Sequence, residues 1–142
     1  MDRSAEARWS GDLKTGLGHV RLGSGAFEGP YSFMSRFESG SGTNPEELLG
    51  AAHAGCFSMA LSLALSKAGH TPTRVTTTAT VHLSNTGGGF AITGIDLVTR
   101  GQVPGISAAE FQRLAEETKV GCIVSRALAA VPMTLDAQLV TG

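Results

Sequence analysis

The sequence predicts an α+β fold, and three observations predict it. Short runs with a period of two recur at both ends of the chain, one long apolar helical segment lies between them, and a second capped helix follows. The chain has 142 residues, 42% of them hydrophobic, which is enough for a core and fits one domain spanning residues 1–142.

The first forty residues are glycine-rich, and Val20-Arg21-Leu22 and residues 31–37 read as antiparallel strands. In the second run the period of two puts Tyr31, Phe33 and Phe37 on one face and Ser32, Met34 and Arg36 on the other. Arg36 is therefore expected to project away from the aromatic side. After Ser39-Gly40-Ser41-Gly42, Asn44 can cap a helix, Pro45 suits its first position and Glu47 can close a capping box. That helix is expected from residue 45 to about residue 68, ending at Gly69, a length of roughly 36 Å at ~1.5 Å per residue. Between residues 48 and 65 nearly every face is apolar, and a helix apolar all round must be covered on all sides. The rest of the chain is too short to wrap it, so a partner subunit is the simplest cover. The same 18-residue stretch carries no charge and approaches the length of a bilayer span. Gly50, His53, Gly55, Ser58, Ser62 and many alanines make its transfer into lipid poor, and no membrane partner is expected.

Residues 75–83 alternate, with Val75, Ala79, Val81 and Leu83 on one face of a half-exposed strand. Phe90 and Ile92 then share one parity and Ile95 and Leu97 the other, so Gly94 marks a bulge. Ser107-Ala108-Ala109-Glu110 is a capping box, and Phe111, Leu114, Ala115 and Thr118 follow at helical spacing. Cys122, eleven residues after Phe111 and about 20° from it, falls on the same inward stripe if that helix is unbroken. Residues 132–139 alternate again as a final strand.

With 11 Lys+Arg against 12 Asp+Glu and no long charge run, nothing attracts a polyanion, and nucleic acid is not an expected partner. Met1-Asp2-Arg3-Ser4-Ala5-Glu6 carries charges where an export signal needs an apolar stretch, so a cytoplasmic location is expected. In that reducing compartment Cys56 and Cys122 are either thiols with chemistry or inert core residues, rather than a permanent bridge. Position alone leaves both open. A cysteine with pKa ~8.5 is mostly thiol at neutral pH, so a reactive one needs a nearby cation or helix N-terminus.

The run Thr43-Asn44-Pro45-Glu46-Glu47-Leu48-Leu49-Gly50-Ala51-Ala52-His53-Ala54-Gly55-Cys56-Phe57-Ser58-Met59-Ala60-Leu61-Ser62 resembles the osmotically inducible protein C branch of the OsmC/Ohr family. Ser35-Arg36-Phe37-Glu38 precedes it, and Gly121-Cys122-Ile123-Val124-Ser125 lies some sixty-six residues downstream. The resemblance covers essentially the whole chain. It implies an intertwined α+β homodimer with two antiparallel sheets around two long central helices. It also implies an organic hydroperoxide reductase of oxidative or osmotic stress defence, with Cys56 as peroxidatic cysteine, Cys122 as resolving cysteine, and Arg36 and Glu46 as the activating pair. No metal or cofactor is implied; electrons would come from an external dithiol, lipoyl groups among the candidates.

The residues agree with that chemistry. A thiolate can attack a peroxide oxygen and become a sulfenic acid that a second thiol captures, while Arg36, fixed by Glu46, would favour the thiolate. Glu46 and Cys56 are ten residues apart on one helix, ~15 Å along its axis and about 80° around it, so they cannot share a site within that helix. Either Arg36 and Glu46 reach Cys56 of the partner subunit across antiparallel central helices, or Arg36 bridges the gap by loop movement. Glu47 reads as a capping residue. His53, three residues before Cys56, reads as a buried hydrogen-bonded histidine rather than a metal ligand with Cys56 and Cys122, since no CxxC or HxxxH pair supports a metal. The family pattern has proline after the resolving cysteine where Ile123 stands here, which is expected to weaken the thiolate character of Cys122 and to slow disulfide formation. The competing function is a passive module that binds a hydrophobic ligand, with both cysteines merely buried.

Overall fold

A computed structural model describes residues 1–141. The chain forms two compact units, Met1–Leu48 and Leu49–Gly142, and its elements give the mixed α+β class.

In the first unit β1 (Ala5–Ser10), β2 (Leu17–Leu22) and β3 (Glu28–Tyr31) pair antiparallel in chain order. Strand structure stops at Tyr31. The expected strand over residues 31–37 is instead mostly a short helix, α1 (Phe33–Phe37). Its cause is local: Ser35 N–H donates to Ser32 Oγ at 3.1 Å and Ser32 N–H donates to Ser35 Oγ at 2.8 Å, a reciprocal serine cap that satisfies amides a strand would have left open. Phe33 and Phe37, now one turn apart, bring their ring centroids to 5.0 Å. Arg36 accordingly does not point away from the aromatic side, because its guanidinium lies 5.2 Å from the Phe37 ring centre.

The long helix α2 (Pro45–Lys67) starts in the first unit and continues through the second. Asn44 Oδ1 accepts the Glu47 N–H at 2.8 Å, as its cap position requires. Glu47 supports the same turn differently from a capping box, its carboxylate accepting the Thr43 hydroxyl at 2.7 Å. The helix ends in a Schellman motif: Gly69 takes φ +88°, its N–H bonds to Ser66 O, and His70 N–H bonds to Leu65 O at 2.9 Å.

In the second unit β4 (Arg74–Asn85) pairs antiparallel with β5 (Phe90–Gln102). His82 faces Gly94 and Leu83 faces Ile92, so Thr93 is the extra residue of a bulge beside Gly94. Two helices follow, α3 (Ala108–Gly121) and α4 (Ile123–Ala127), and lead to β6 (Met133–Leu139). β6 pairs parallel to β5, so this sheet is mixed where a wholly antiparallel one was expected. The helical crossover explains it, since it carries the chain back to the end of the sheet from which β5 set out. The Ser107 hydroxyl receives the Glu110 N–H at 3.2 Å, but the Glu110 carboxylate turns to His70 at 3.5 Å instead of completing a box.

One stripe of α2 enters the core: Phe57, Leu61 and Leu65 are fully buried against Ile95 and Leu97 of β5 and Phe111 of α3. A Cβ at Gly101 would run into the Phe111 ring, so glycine is what lets α3 lie that close to the sheet. Phe57→Ala is expected to cost about 3–5 kcal/mol through the cavity it leaves, read as a lowered urea midpoint with unchanged slope. On the other side of α2 the chain leaves apolar side chains uncovered, Met59 at 77% and Leu63 at 56% exposure. By length and composition alone this helix could cross a membrane; its buried stripe is that of a core helix.

Candidate active site

α3 does not run on through Cys122. Backbone angles of φ −59° and ψ 139° take that residue out of the helix, so it closes α3 with its own N–H on Thr118 O and opens α4 as N-cap. The side expected for it nevertheless holds, because Cys122 is only 2% exposed. Cys56, half-buried on α2, places its sulfur 3.2 Å from that of Cys122, and both are free thiols. An approach of about 1.2 Å would reach the ~2.04 Å of a disulfide.

The two sulfurs differ electrostatically. Burial pushes the Cys56 thiol up and the neighbouring Cys122 adds to this, against opposing amides of Val124 and Ile123. Burial also pushes Cys122 up, but the Ser125 hydroxyl and amide, the Cys56 thiol and the Val124 amide outweigh it and leave the Cys122 thiol below its ordinary value. The Cys122 thiol is thus lowered with Ile123 standing where the family pattern has proline. Isoleucine fills the first position of α4, which forms without proline, and its amide, which proline lacks, acts on the Cys56 sulfur.

In the first unit Arg36 and Glu46 form a forked pair. Nε lies 3.1 and 3.3 Å from the two carboxylate oxygens and Nη2 lies 2.8 Å from Oε1. Glu46 is 6% exposed, so α2 buries a carboxylate whose partner is the Arg36 guanidinium. Arg36 also lines a cavity of about 410 Å³ with Trp9, Leu13, Tyr31, Phe33 and Phe37. The four expected residues thus stand as two pairs, a sulfur pair in one unit and an ion pair in the other.

His53 is fully buried, as its helix phase suggests, with Nε2 2.7 Å from Ser125 Oγ. Ser125 was not singled out from sequence. The available signal was its spacing, three residues after a helix-opening Cys122, where a cap meets a backbone amide: Ser125 N–H reaches Cys122 Sγ at 3.5 Å.

Two free thiols within reach of each other on an α+β scaffold define a cysteine-redox class of protein. The family model described as "OsmC-like protein" matches residues 38–136. Over 140 residues the chain is 52% identical to "Peroxiredoxin OsmC" of Escherichia coli (strain K12), covering 98% of this chain and 97% of that protein. It is 36% identical over 89 residues to an "Organic hydroperoxide resistance protein" of Xanthomonas axonopodis pv. citri, 62% of this chain and 61% of the other. The fold is shared with the organic hydroperoxide resistance protein OhrB of Bacillus subtilis, with a TM-score of 0.74 at 23% identity over 95% of this chain and 98% of the other. The chain belongs to the OsmC-like family.

Proposed function

We propose that this protein is a thiol-dependent peroxidase that reduces organic hydroperoxides to alcohols. The observation that carries the reading is the pair of free sulfurs 3.2 Å apart, one half-buried and one buried. The Cys56 thiolate attacks a peroxide oxygen, forming an S–O bond as the O–O bond breaks, and the departing alkoxide takes a proton to become the alcohol. The Cys122 sulfur then displaces hydroxide from the Cys56 sulfenic acid, giving a disulfide and water. An external dithiol, such as a lipoyl group, returns both cysteines to thiols without metal or organic cofactor.

Cys56 is pushed up within its own chain, so it needs a cation to ionise. We assign that cation to Arg36, oriented by Glu46, in a homodimer in which these two residues serve the partner subunit's Cys56. The uncovered Met59 and Leu63 of α2 supply an apolar face for such a dimer. The aromatic lining of the cavity beside Arg36 suits an alkyl chain better than hydrogen peroxide. Residues 1–142 then work as one cytoplasmic stress-defence domain.

The test is consumption of cumene hydroperoxide, tert-butyl hydroperoxide and hydrogen peroxide with dithiothreitol or a lipoyl dithiol as reductant. An organic hydroperoxide should be favoured in kcat/KM by roughly tenfold or more, the worth of burying about two methylenes. Binding of an apolar fluorophore with no peroxide consumed would instead select a passive hydrophobic-ligand module.

A further inference from the structure

The peroxidase reading gives His53 and Ser125 no task, yet both are buried and in line with a reacting sulfur. His53 is 0% exposed and Ser125 3% exposed. His53 Nε2 lies 2.7 Å from Ser125 Oγ, Ser125 N–H lies 3.5 Å from Cys122 Sγ, and Cys122 Sγ lies 3.2 Å from Cys56 Sγ. His53 Nδ1 has no hydrogen-bond partner among the described residues. That orphan atom fixes the direction of the line. A buried N–H without an acceptor costs more than an idle lone pair, so the ring proton sits on Nε2 and Nδ1 carries only a lone pair. Nε2–H then donates to Ser125 Oγ. The hydroxyl, having accepted, keeps its own proton, and with the Ser125 N–H already 3.5 Å from the Cys122 sulfur it is the side chain that lowers that thiol most. Burial lowers the pKa of His53, so the ring acts as a neutral donor and not as a charge.

We propose that His53 and Ser125 are positioning residues that hold Cys122 as a thiolate aimed at Cys56 for the disulfide-forming step. This rests on the peroxidase reading for its place in the reaction, although the state it assigns to Cys122 does not. In that step the Cys122 electron pair forms the S–S bond, the S–O bond of the Cys56 sulfenic acid breaks, and hydroxide leaves with the bonding pair. The proton that Cys122 gave up on ionising ends on that hydroxide as water. Attack on the peroxide by Cys56 feels the line only through Cys122, which pushes the Cys56 thiol up, so removing the line slows disulfide formation without slowing attack.

Two measurements test this. In a Cys56→Ser background, which removes the titratable group hydrogen-bonded to Cys122, the ultraviolet absorbance of the Cys122 thiolate is titrated against pH. Adding Ser125→Ala should move the midpoint to higher pH, Ser125→Thr should keep it near the parent, and His53→Gln, whose amide can replace Nε2–H, should lie closer to the parent than His53→Leu. An unmoved midpoint in Ser125→Ala overturns the proposal. Should that variant fail to fold by circular dichroism, equal midpoints in His53→Gln and His53→Leu overturn it. In the protein with both cysteines, one equivalent of cumene hydroperoxide is added and the sulfenic acid is trapped with dimedone over time. Ser125→Ala should form disulfide about tenfold or more slowly while consuming hydroperoxide no more slowly than the unaltered protein, since a protonated Cys122 pushes the Cys56 thiol up less. Equal slowing of both steps would mark a merely structural role and overturn the proposal. If the unaltered protein consumes no hydroperoxide, the peroxidase reading falls, and the titration still decides whether the line holds Cys122 as a thiolate.

Discussion

Cys56→Ser is expected to lower kcat/KM for cumene hydroperoxide by at least about 10³-fold, whereas Cys122→Ser should leave the first turnover intact and stall afterwards. Acidity alone would favour the other cysteine, because within one chain it is Cys122, not Cys56, whose thiol lies below its ordinary value. Access decides it. Cys122 is 2% exposed and closed in by Ser125 and Cys56, while Cys56 is half-buried on the helix face beside it. A hydroperoxide must reach the attacking sulfur, whereas a resolving sulfur has only to reach its neighbour. In Cys122→Ser the sulfenic acid on Cys56 has no thiol to capture it and should accumulate as a dimedone adduct in near-stoichiometric yield. Measuring hydroperoxide loss and adduct mass in both variants separates the roles. Full turnover in Cys56→Ser would reverse them.

Much of this was legible in the sequence because its signals were local. Asn44, Pro45 and Gly69 bracket α2 through caps that depend on neighbouring atoms only, and the parity change around Gly94 announced the bulge that the strand register shows. The failures are equally physical. Phe33 and Phe37 match a strand by parity and a helix by one-turn spacing, and the Ser32–Ser35 cap, which parity ignores, chose the helix. The parallel pairing of β6 depends on where a helical crossover delivers the chain, which alternation does not encode. At the site, each chemical residue type was readable, but whether the helix breaks at Cys122 stayed open, because the stripe of Phe111, Leu114 and Thr118 continues through it in phase. That break is what makes Cys122 a cap and brings Ser125 onto its sulfur.

Removing the guanidinium gives the second large effect. Arg36→Met, which keeps the stem and deletes the charge, is expected to cost about 10²–10³-fold in kcat/KM for cumene hydroperoxide. The sign of its pH effect follows from the thiolate being the nucleophile: rate rises with pH through the Cys56 pKa, and burial together with Cys122 already pushes that thiol up. Losing the cation leaves these influences unopposed, so the acid limb of the pH–rate profile moves to higher pH, and an unshifted limb would remove Arg36 from the mechanism. Arg36→Lys should recover only part of the rate, since a single ammonium cannot reproduce the fork with Nε at 3.1 Å and Nη2 at 2.8 Å from Glu46 Oε1. A mixed dimer then identifies which subunit supplies the charge. One subunit carries Cys56→Ser and the other Arg36→Met. If Arg36 serves the partner subunit's Cys56, one site of this dimer keeps both residues and the other loses both, so about half the activity survives. If Arg36 serves its own chain, each site lacks one essential group and the mixed dimer is inactive.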